Sequence, residues 1–336
     1  MTGEPAPIEQ ADLPLDSAKI AALREGGRPA VLRGAASQWP AVAAAGHGAD
    51  AVLRYLVREP SQRPVKAIAA APSEAGRFFY TDDLTRFNFV EAQGRLEAFL
   101  ADLAKAADSP SPPAMAVQSE DIASLIPHVA QENALTVLPG VPPRIWIGNR
   151  VRVAPHYDAN ENVAVCVAGQ RRFTLFPPDQ IANLYPGPLH LTPAGTPVSM
   201  VDIASPDLER FPRFAQAWDH ALQATLQPGD AIYIPYGWWH GVDSLDPVSI
   251  LVNYWWKPDV PEGIAPHTTA LLAALMSIRH LPEDQRRIWG NMLRYYVFEE
   301  SGDPAGHLPE HAKGVLGKAS PRLFAQMRDM LLQSLQ

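Results

Sequence analysis

A chain of 336 residues exceeds one typical domain, and 47% hydrophobic with 19% charged residues is the composition of a folded protein, not of a disordered or fibrous one. The 34 prolines argue against long coiled coils, and a formal charge of −8, from 28 basic against 36 acidic side chains, would repel a phosphate backbone, so nucleic acid is not expected as a partner. The single cysteine, Cys166, excludes an internal disulfide, fits a reducing compartment, and sits in an apolar run where a small buried side chain is the expected role.

The opening residues, "MTGEPAPIEQADLPLD", lack the basic and apolar stretches of a leader, and no later run approaches the roughly 18 apolar residues of a membrane span. A cytoplasmic protein without a membrane partner is expected. "DSAKIAALREGG" predicts a short amphipathic helix ended by Gly26 and Gly27, and "RPAVLRGA" predicts a strand after it. "ADAVLRYLVREP" and "QGRLEAFLADLAKAA" carry apolar residues at helical spacing, "RFFYTD" between them suits a strand or loop, and "DSPSPPA" marks a break within one fold.

From about residue 144 to 257 the texture changes. "IWIG", "NVAVCV", "RFTLFP", "AIYIP" and "VSILVNYWW" are short β-rich runs separated by Gly, Pro and Asp, as an antiparallel sandwich or barrel requires. The Pro-rich stretch from Pro186 to Trp218 is expected to be a loop. Beyond Pro258, "APHTTALLAALMSIRHL", "EDQRRIWGNMLRYYVFEE" and "SPRLFAQMRDMLLQSL" predict helices. In the last, Ser320 is the expected N-cap, and Leu323, Met327, Met330 and Leu331 share one face. That face needs a partner, either the chain's own core or a second copy in a homodimer. The expected division is a domain over 1–260, with its β core at about 144–257, and a helical region over 261–336.

Two segments carry chemistry. In "PHYDANEN", residues two apart on a strand face the same side, so His156 and Asp158 can aim an imidazole and a carboxylate at one point while Tyr157 faces away. In "QPGDAIYIPYGWWHGV", Gly229, Pro235, Gly237 and His240 follow a spacing that chance seldom produces. These segments resemble the two motifs of the cupin superfamily, which implies that both lie on facing strands of a double-stranded β-helix and converge on a metal. Asp158 stands where many cupins have a second histidine, and Asn162 where they have a glutamate. Two histidines and one carboxylate leave three positions of an octahedron open, which suits non-haem Fe(II) better than a closed structural zinc site.

With "LERFPRF" and "VNYWW" added, the chain is similar to the JmjC-type, cupin-8 oxygenases, a family that includes asparaginyl hydroxylases. The resemblance is strongest from Arg144 to Lys257 and fainter through "GRPAVLRGAASQWPAV" and "RFFYTDDLTRFNF". It implies a mainly β fold with helices, a cupin or JmjC jelly roll with N-terminal α/β support. It also implies Fe(II) as metal, with 2-oxoglutarate and O2 as co-substrates. His156, Asp158 and His240 match the iron ligands, and the family pattern adds no other catalytic side chain. Asn162 and Asn253 match amides that contact the co-substrate, Trp255 an aromatic beside the metal, and Arg171 the basic residue that pairs with the far carboxylate of 2-oxoglutarate. An arginine there can make two parallel hydrogen bonds.

Val153 and Ala116 depart from the pattern, because the matching positions carry hydroxyls that help hold that carboxylate. Gln118 and Tyr80 align with substrate-contacting groups, and Trp239, in a pair read as barrel-mouth packing, is a further candidate substrate contact. The implied function is an oxygenase, a hydroxylase of a protein side chain or a small molecule that yields succinate and CO2, with demethylation through an N-methyl group also open. The alternatives are a catalytically silent cupin that binds a metabolite or protein, and a cupin dioxygenase that uses no keto acid.

Overall fold

The computed structural model describes residues 3–257, 266 and 269–334. In chain order, β1 (Ala6–Pro7), α1 (Ser17–Gly26), β2 (Ala30–Leu32), α2 (Pro40–Gly46) and α3 (Ala49–Leu56) come first. They lead to β3 (Val65–Ala70), β4 (Arg77–Phe78), β5 (Phe89–Gly94), α4 (Leu96–Ala107), β6 (Ala114–Asp121), α5 (Ile122–Leu125) and α6 (Pro127–Glu132). The segment that carries both motifs comprises β7 (Pro143–Gly148), β8 (Arg152–Tyr157), β9 (Glu161–Ala168), β10 (Arg171–Phe176), α7 (Phe214–Asp219), β11 (Leu222–Leu226), β12 (Ala231–Ile234), β13 (Trp239–Ser244) and β14 (Ser249–Trp256). Last come α8 (Ala270–Ser277), α9 (Glu283–Tyr296) and α10 (Pro321–Ser334).

The strands form two sheets, ordered β1-β11-β10-β13-β8-β4 and β2-β12-β9-β14-β7-β6-β3-β5. The eight strands β7 to β14 divide between them, four to each, and switch sheets at every step except β10 to β11, which is the connectivity of a jelly roll. Side chains from both sheets, including Phe173, Leu175, Val242, Ala164, Ile232 and Leu251, fill the space between them. The other face of the eight-stranded sheet supplies Ile145, Ile147, Val163, Val165, Ile250 and Val252 to a second core shared with α1 to α6. Buried on both faces, β9 has no exposed residue, and this is why "NVAVCV" is continuously apolar where a half-exposed strand would alternate. Each fully buried Val or Leu contributes about 1.5–3 kcal/mol relative to exposure.

Local signals act where the residue types require. Asp16 caps α1 by accepting from Lys19 N at 2.8 Å, and Gly27, at φ 60, ends it by donating its N–H to the carbonyls of Leu23 and Arg24. Gly169 turns β9 into β10 at φ +68, and a Cβ there would meet the Val248 carbonyl oxygen at 2.5 Å. Gly169→Ala is therefore expected to cost at least about 1 kcal/mol, because both the backbone angle and the clash oppose it. Denaturant unfolding checks this; a variant as stable as the parent would show that the turn can move aside.

The structure corrects several expectations. The region before residue 144 contributes β3, β5 and β6 to the larger sheet, so it extends the barrel wall as well as supporting it. "RFFYTD", expected as strand or loop, begins with the two-residue β4, which pairs parallel with β8. The stretch from Pro186 is loop as expected until Phe214, where α7 begins and buries Phe214 and Ala217 against Phe176 and Trp239.

The chain divides into two compact units, Met1–Lys257 and Pro258–Gln336. In the second, Ser320 Oγ accepts from Leu323 N at 3.2 Å, as the N-cap reading requires. Part of "APHTTALLAALMSIRHL" lies outside the described residues; its described helix is α8. The described residues of α8, α9 and α10 include no buried side chain, and Met330 and Leu331, from the face left without an assigned partner, are exposed. Among the described residues no helix is long and apolar enough to cross a membrane.

Candidate metal centre

β8 and β13 lie side by side in the smaller sheet, with His156 opposite His240 and Val153 opposite Val242. Three steps along β8 thus match two along β13, an irregularity that inserts one extra residue. The bulge lets Val153 and His156, an odd number of residues apart, both face the barrel interior. It also places the Ala154 carbonyl 3.0 Å from His156 Nδ1. His240 is held in the same way, with Nδ1 3.0 Å from the Trp238 carbonyl.

A carbonyl oxygen can only accept, so each Nδ1 carries a hydrogen and Nε2 is the nitrogen available to a metal. The two rings lie 4.4 Å apart. Asp158 follows β8 directly, and its Oδ2 lies 3.6 Å from His240 Nε2 and is buried without a hydrogen-bond partner. One ligand atom from each of His156, Asp158 and His240 falls within 4.8 Å of the others, and among the described residues this is the group able to hold a metal ion.

The residues fit such an ion. Both imidazoles are fixed in the ligating tautomer by backbone carbonyls, and the carboxylate has an unused lone pair beside them. The three donors leave part of an octahedron open.

Two sets of hydrogen bonds join the segments that carry these residues. Gly237 N–H donates to the Asp158 carbonyl at 3.0 Å, and the buried Glu161 carboxylate accepts from Tyr233 OH at 2.6 Å and from Tyr236 N–H at 3.3 Å. The loop carrying Asp158 is thereby tied to the turn before β13. The role of Glu161 was missed in the sequence, where it reads as one more acidic loop residue.

Burial, reinforced by the neighbouring His240, pushes the His156 imidazole down from 6.5 to about 4, against the opposing pull of Asp158 and the Ala154 carbonyl. The ring is therefore neutral and able to ligate at neutral pH. Because the folded value lies below the unfolded one, the stability it contributes to the metal-free protein is fully present above about pH 6.5. That contribution is expected to be lost as pH falls toward about 4. Thermal unfolding in a chelator across that window checks this, and a His156→Gln variant should lose part of the dependence.

The other candidate residues are placed as follows. Asn253, on β14, donates from Nδ2 to Asn162 Oδ1 at 3.0 Å, and its own Oδ1 is buried without a partner. Trp255 is paired in register with Asn162, and its indole nitrogen is buried and unpartnered. Arg171 is 6% exposed and donates from Nε to Ser249 Oγ at 2.8 Å. Burial lowers its guanidinium to about 10, so it stays cationic at neutral pH. Among the described residues no carboxylate forms an ion pair with it.

Val153 packs in the apolar lining between the sheets, and Ala116 lies in an apolar cluster with Ile68, Phe78 and Val151, so neither position offers a hydrogen bond from its side chain. Gln118 is half-buried at the irregularity where β6 leaves its register with β7.

Two candidate substrate contacts pack in apolar clusters other than the lining between the sheets. Trp239 alternates with His240 on β13, and it is buried in the cluster beneath the insertion, its ring 5.1 Å from that of Tyr157. Tyr80 is buried in a different cluster, with Phe79, Ala154 and Val198, and donates its hydroxyl to the Leu191 carbonyl at 2.8 Å. The sequence reading also passed over Trp146. In "RIWIG", Ile145 and Ile147 face the helix-side core, so alternation alone directs Trp146 to the barrel side.

A family model described as a cupin-like domain matches residues 17–261. The lysine-specific demethylase JMJ31 of Arabidopsis thaliana is 33% identical over 158 residues, covering 43% of this chain and 28% of that protein. HSPB1-associated protein 1 of Homo sapiens is 38% identical over 113 residues, covering 33% and 22%. Lysine-specific demethylase 8 of Xenopus tropicalis is 33% identical over 132 residues, covering 38% and 26%. The aligned part spans about a quarter of the length of these curated relatives.

Proposed function

The chain belongs to the cupin-like domain family, and on that basis we propose that it is an Fe(II)- and 2-oxoglutarate-dependent oxygenase that hydroxylates a C–H bond of a protein side chain or small molecule. The observation that supports this most is the presence, between the same two sheets, of an open three-ligand group and a buried guanidinium that no carboxylate among the described residues neutralises. A buried cation without a counter-ion is costly, and an anionic ligand would relieve that cost.

When bound, ferrous iron and the keto acid would supply oxidation of an unactivated C–H bond by O2, with succinate and CO2 as co-products. The chain's own part is to bind and orient. His156 and His240 would hold the ion through Nε2, and Asp158 through its carboxylate. Arg171 would take the far carboxylate of the co-substrate, with Ser249 fixing its Nε. The linked amides of Asn162 and Asn253 would fix the end nearer the ion, where Asn253 Oδ1 has an unused acceptor. Leu175, Leu251 and Val153 line the barrel with apolar surface and keep water from the reacting atoms.

Two of the relatives are named lysine-specific demethylases. Hydroxylation of an N-methyl carbon is the same C–H chemistry, so the same groups would serve that outcome, and the substrate would decide it. A second reading, a cupin that binds its ligand without turnover, is favoured by the apolar side chains at Val153 and Ala116.

The test is succinate formation by iron-loaded protein given O2, 2-oxoglutarate and a panel of peptides and small molecules, against Asp158→Ala. Succinate above the variant supports the oxygenase. Equal amounts at full iron loading leave the binding reading.

A further inference from the structure

A keto acid anchored at the metal and at Arg171 would pass a third buried polar group, the indole of Trp146. We infer that the indole N–H of Trp146 donates a hydrogen bond to the far carboxylate of the co-substrate, in place of the hydroxyls that Val153 and Ala116 lack. This rests on the function proposed above and deepens it by naming a residue that selects a dicarboxylic over a monocarboxylic keto acid.

Three observations carry the inference. First, Trp146 Nε1 is buried and has no hydrogen-bond partner among the described residues, whereas most buried donors are paired. Second, the register places it between the two anchors. On β7 and β14, Gly148 is opposite Ser249, Trp146 opposite Leu251, and Arg144 opposite Asn253. Ser249 holds Arg171, and Asn253 holds Asn162. Trp146 thus stands one barrel-facing step, about 6.8 Å along a strand, from the level of each anchor. Third, its ring packs against the same apolar cluster as Val153, so the donor belongs to the lining from which the hydroxyl is missing. The Trp255 ring meets it edge to face with centroids 5.9 Å apart, which restricts its rotation. Gly148, one step further along β7, lets β6 approach closely, since a Cβ there would meet the Met115 carbonyl oxygen at 2.6 Å.

Trp146→Phe keeps the aromatic packing and removes only the N–H. Calorimetric titration of Mn(II)-loaded protein, in which no turnover occurs, should then show the Kd for 2-oxoglutarate rising about tenfold to a hundredfold, the range for a hydrogen bond to a charged group. The Kd for 2-oxopentanoate, which has the same chain length without the far carboxylate, should stay the same. Trp146→Phe/Val153→Thr, which returns a hydroxyl to the same lining, should recover affinity for the diacid. It also guards against misreading a packing defect.

Unchanged affinity for 2-oxoglutarate in Trp146→Phe, or equal weakening toward both keto acids, would overturn the inference and leave the proposed function standing. Parent protein that binds neither keto acid, or binds them equally, would overturn both.

Discussion

Asp158→Ala is expected to lower metal affinity by at least about a hundredfold while leaving the metal-free fold intact. Loss of an outer hydrogen-bond partner alone costs about 10- to 100-fold in characterised metal sites, and here one of the three proposed ligands would go, the only carboxylate among them. The fold should survive because Asp158 Oδ2 accepts no hydrogen bond and its side chain retains 17% exposure. The link that positions this loop runs instead through the Asp158 backbone carbonyl, which Gly237 N–H continues to bind. Competition with a metal indicator, together with thermal unfolding in a chelator, reads both halves. Retained metal affinity would remove Asp158 from the ligand set. A large fall in the unfolding midpoint without metal would make it a structural residue.

Arg171→Met should separate function from stability. A methionine fills similar space without a charge, so the ligand-free protein is expected to be as stable as the parent or more so, since a buried guanidinium without a carboxylate partner carries its desolvation cost uncompensated. The buried Ser249 Oγ loses its donor from Arg171 Nε, which offsets part of that gain. Affinity for 2-oxoglutarate should fall by at least about a hundredfold, because two charge-assisted hydrogen bonds are lost. Arg171→Lys should fall between, keeping the charge without the planar fork. Denaturant unfolding and keto-acid titration give the two readings. A variant that is markedly less stable and binds the keto acid normally would assign Arg171 to the core.

Much of the site is legible in the sequence because its signals are local. His156 and Asp158 are two residues apart, His240 follows Gly229, Pro235 and Gly237 at fixed intervals, and Arg171 follows the Gly169 turn. The apolar run through β9 reads as a strand without alternation because both of its faces are covered. What stayed hidden depends on partners distant in sequence. β3 is interrupted by a lysine and by small alanines, and only pairing with β5 and β6 makes it part of a sheet. Tyr80 lies beneath residues more than a hundred positions later. The extra residue in β8 shifts the phase at which side chains face inward, so simple alternation back from His156 would have turned Val153 outward. Trp239 is different: with His240 inward, alternation already predicts that its neighbour faces away, and the aromatic identity of the residue obscured that.

The account turns on whether a keto acid meets ferrous iron beside Arg171. The most direct measurement is anaerobic titration of the Fe(II)-loaded protein with 2-oxoglutarate, followed by the visible charge-transfer absorption that a keto acid gives when it chelates ferrous iron at an open site. A saturable band that is absent in Asp158→Ala and shifts to much higher keto-acid concentration in Arg171→Met is the predicted result. No band, with iron bound to the parent protein in full, would contradict the account and leave a cupin that holds metal for another purpose.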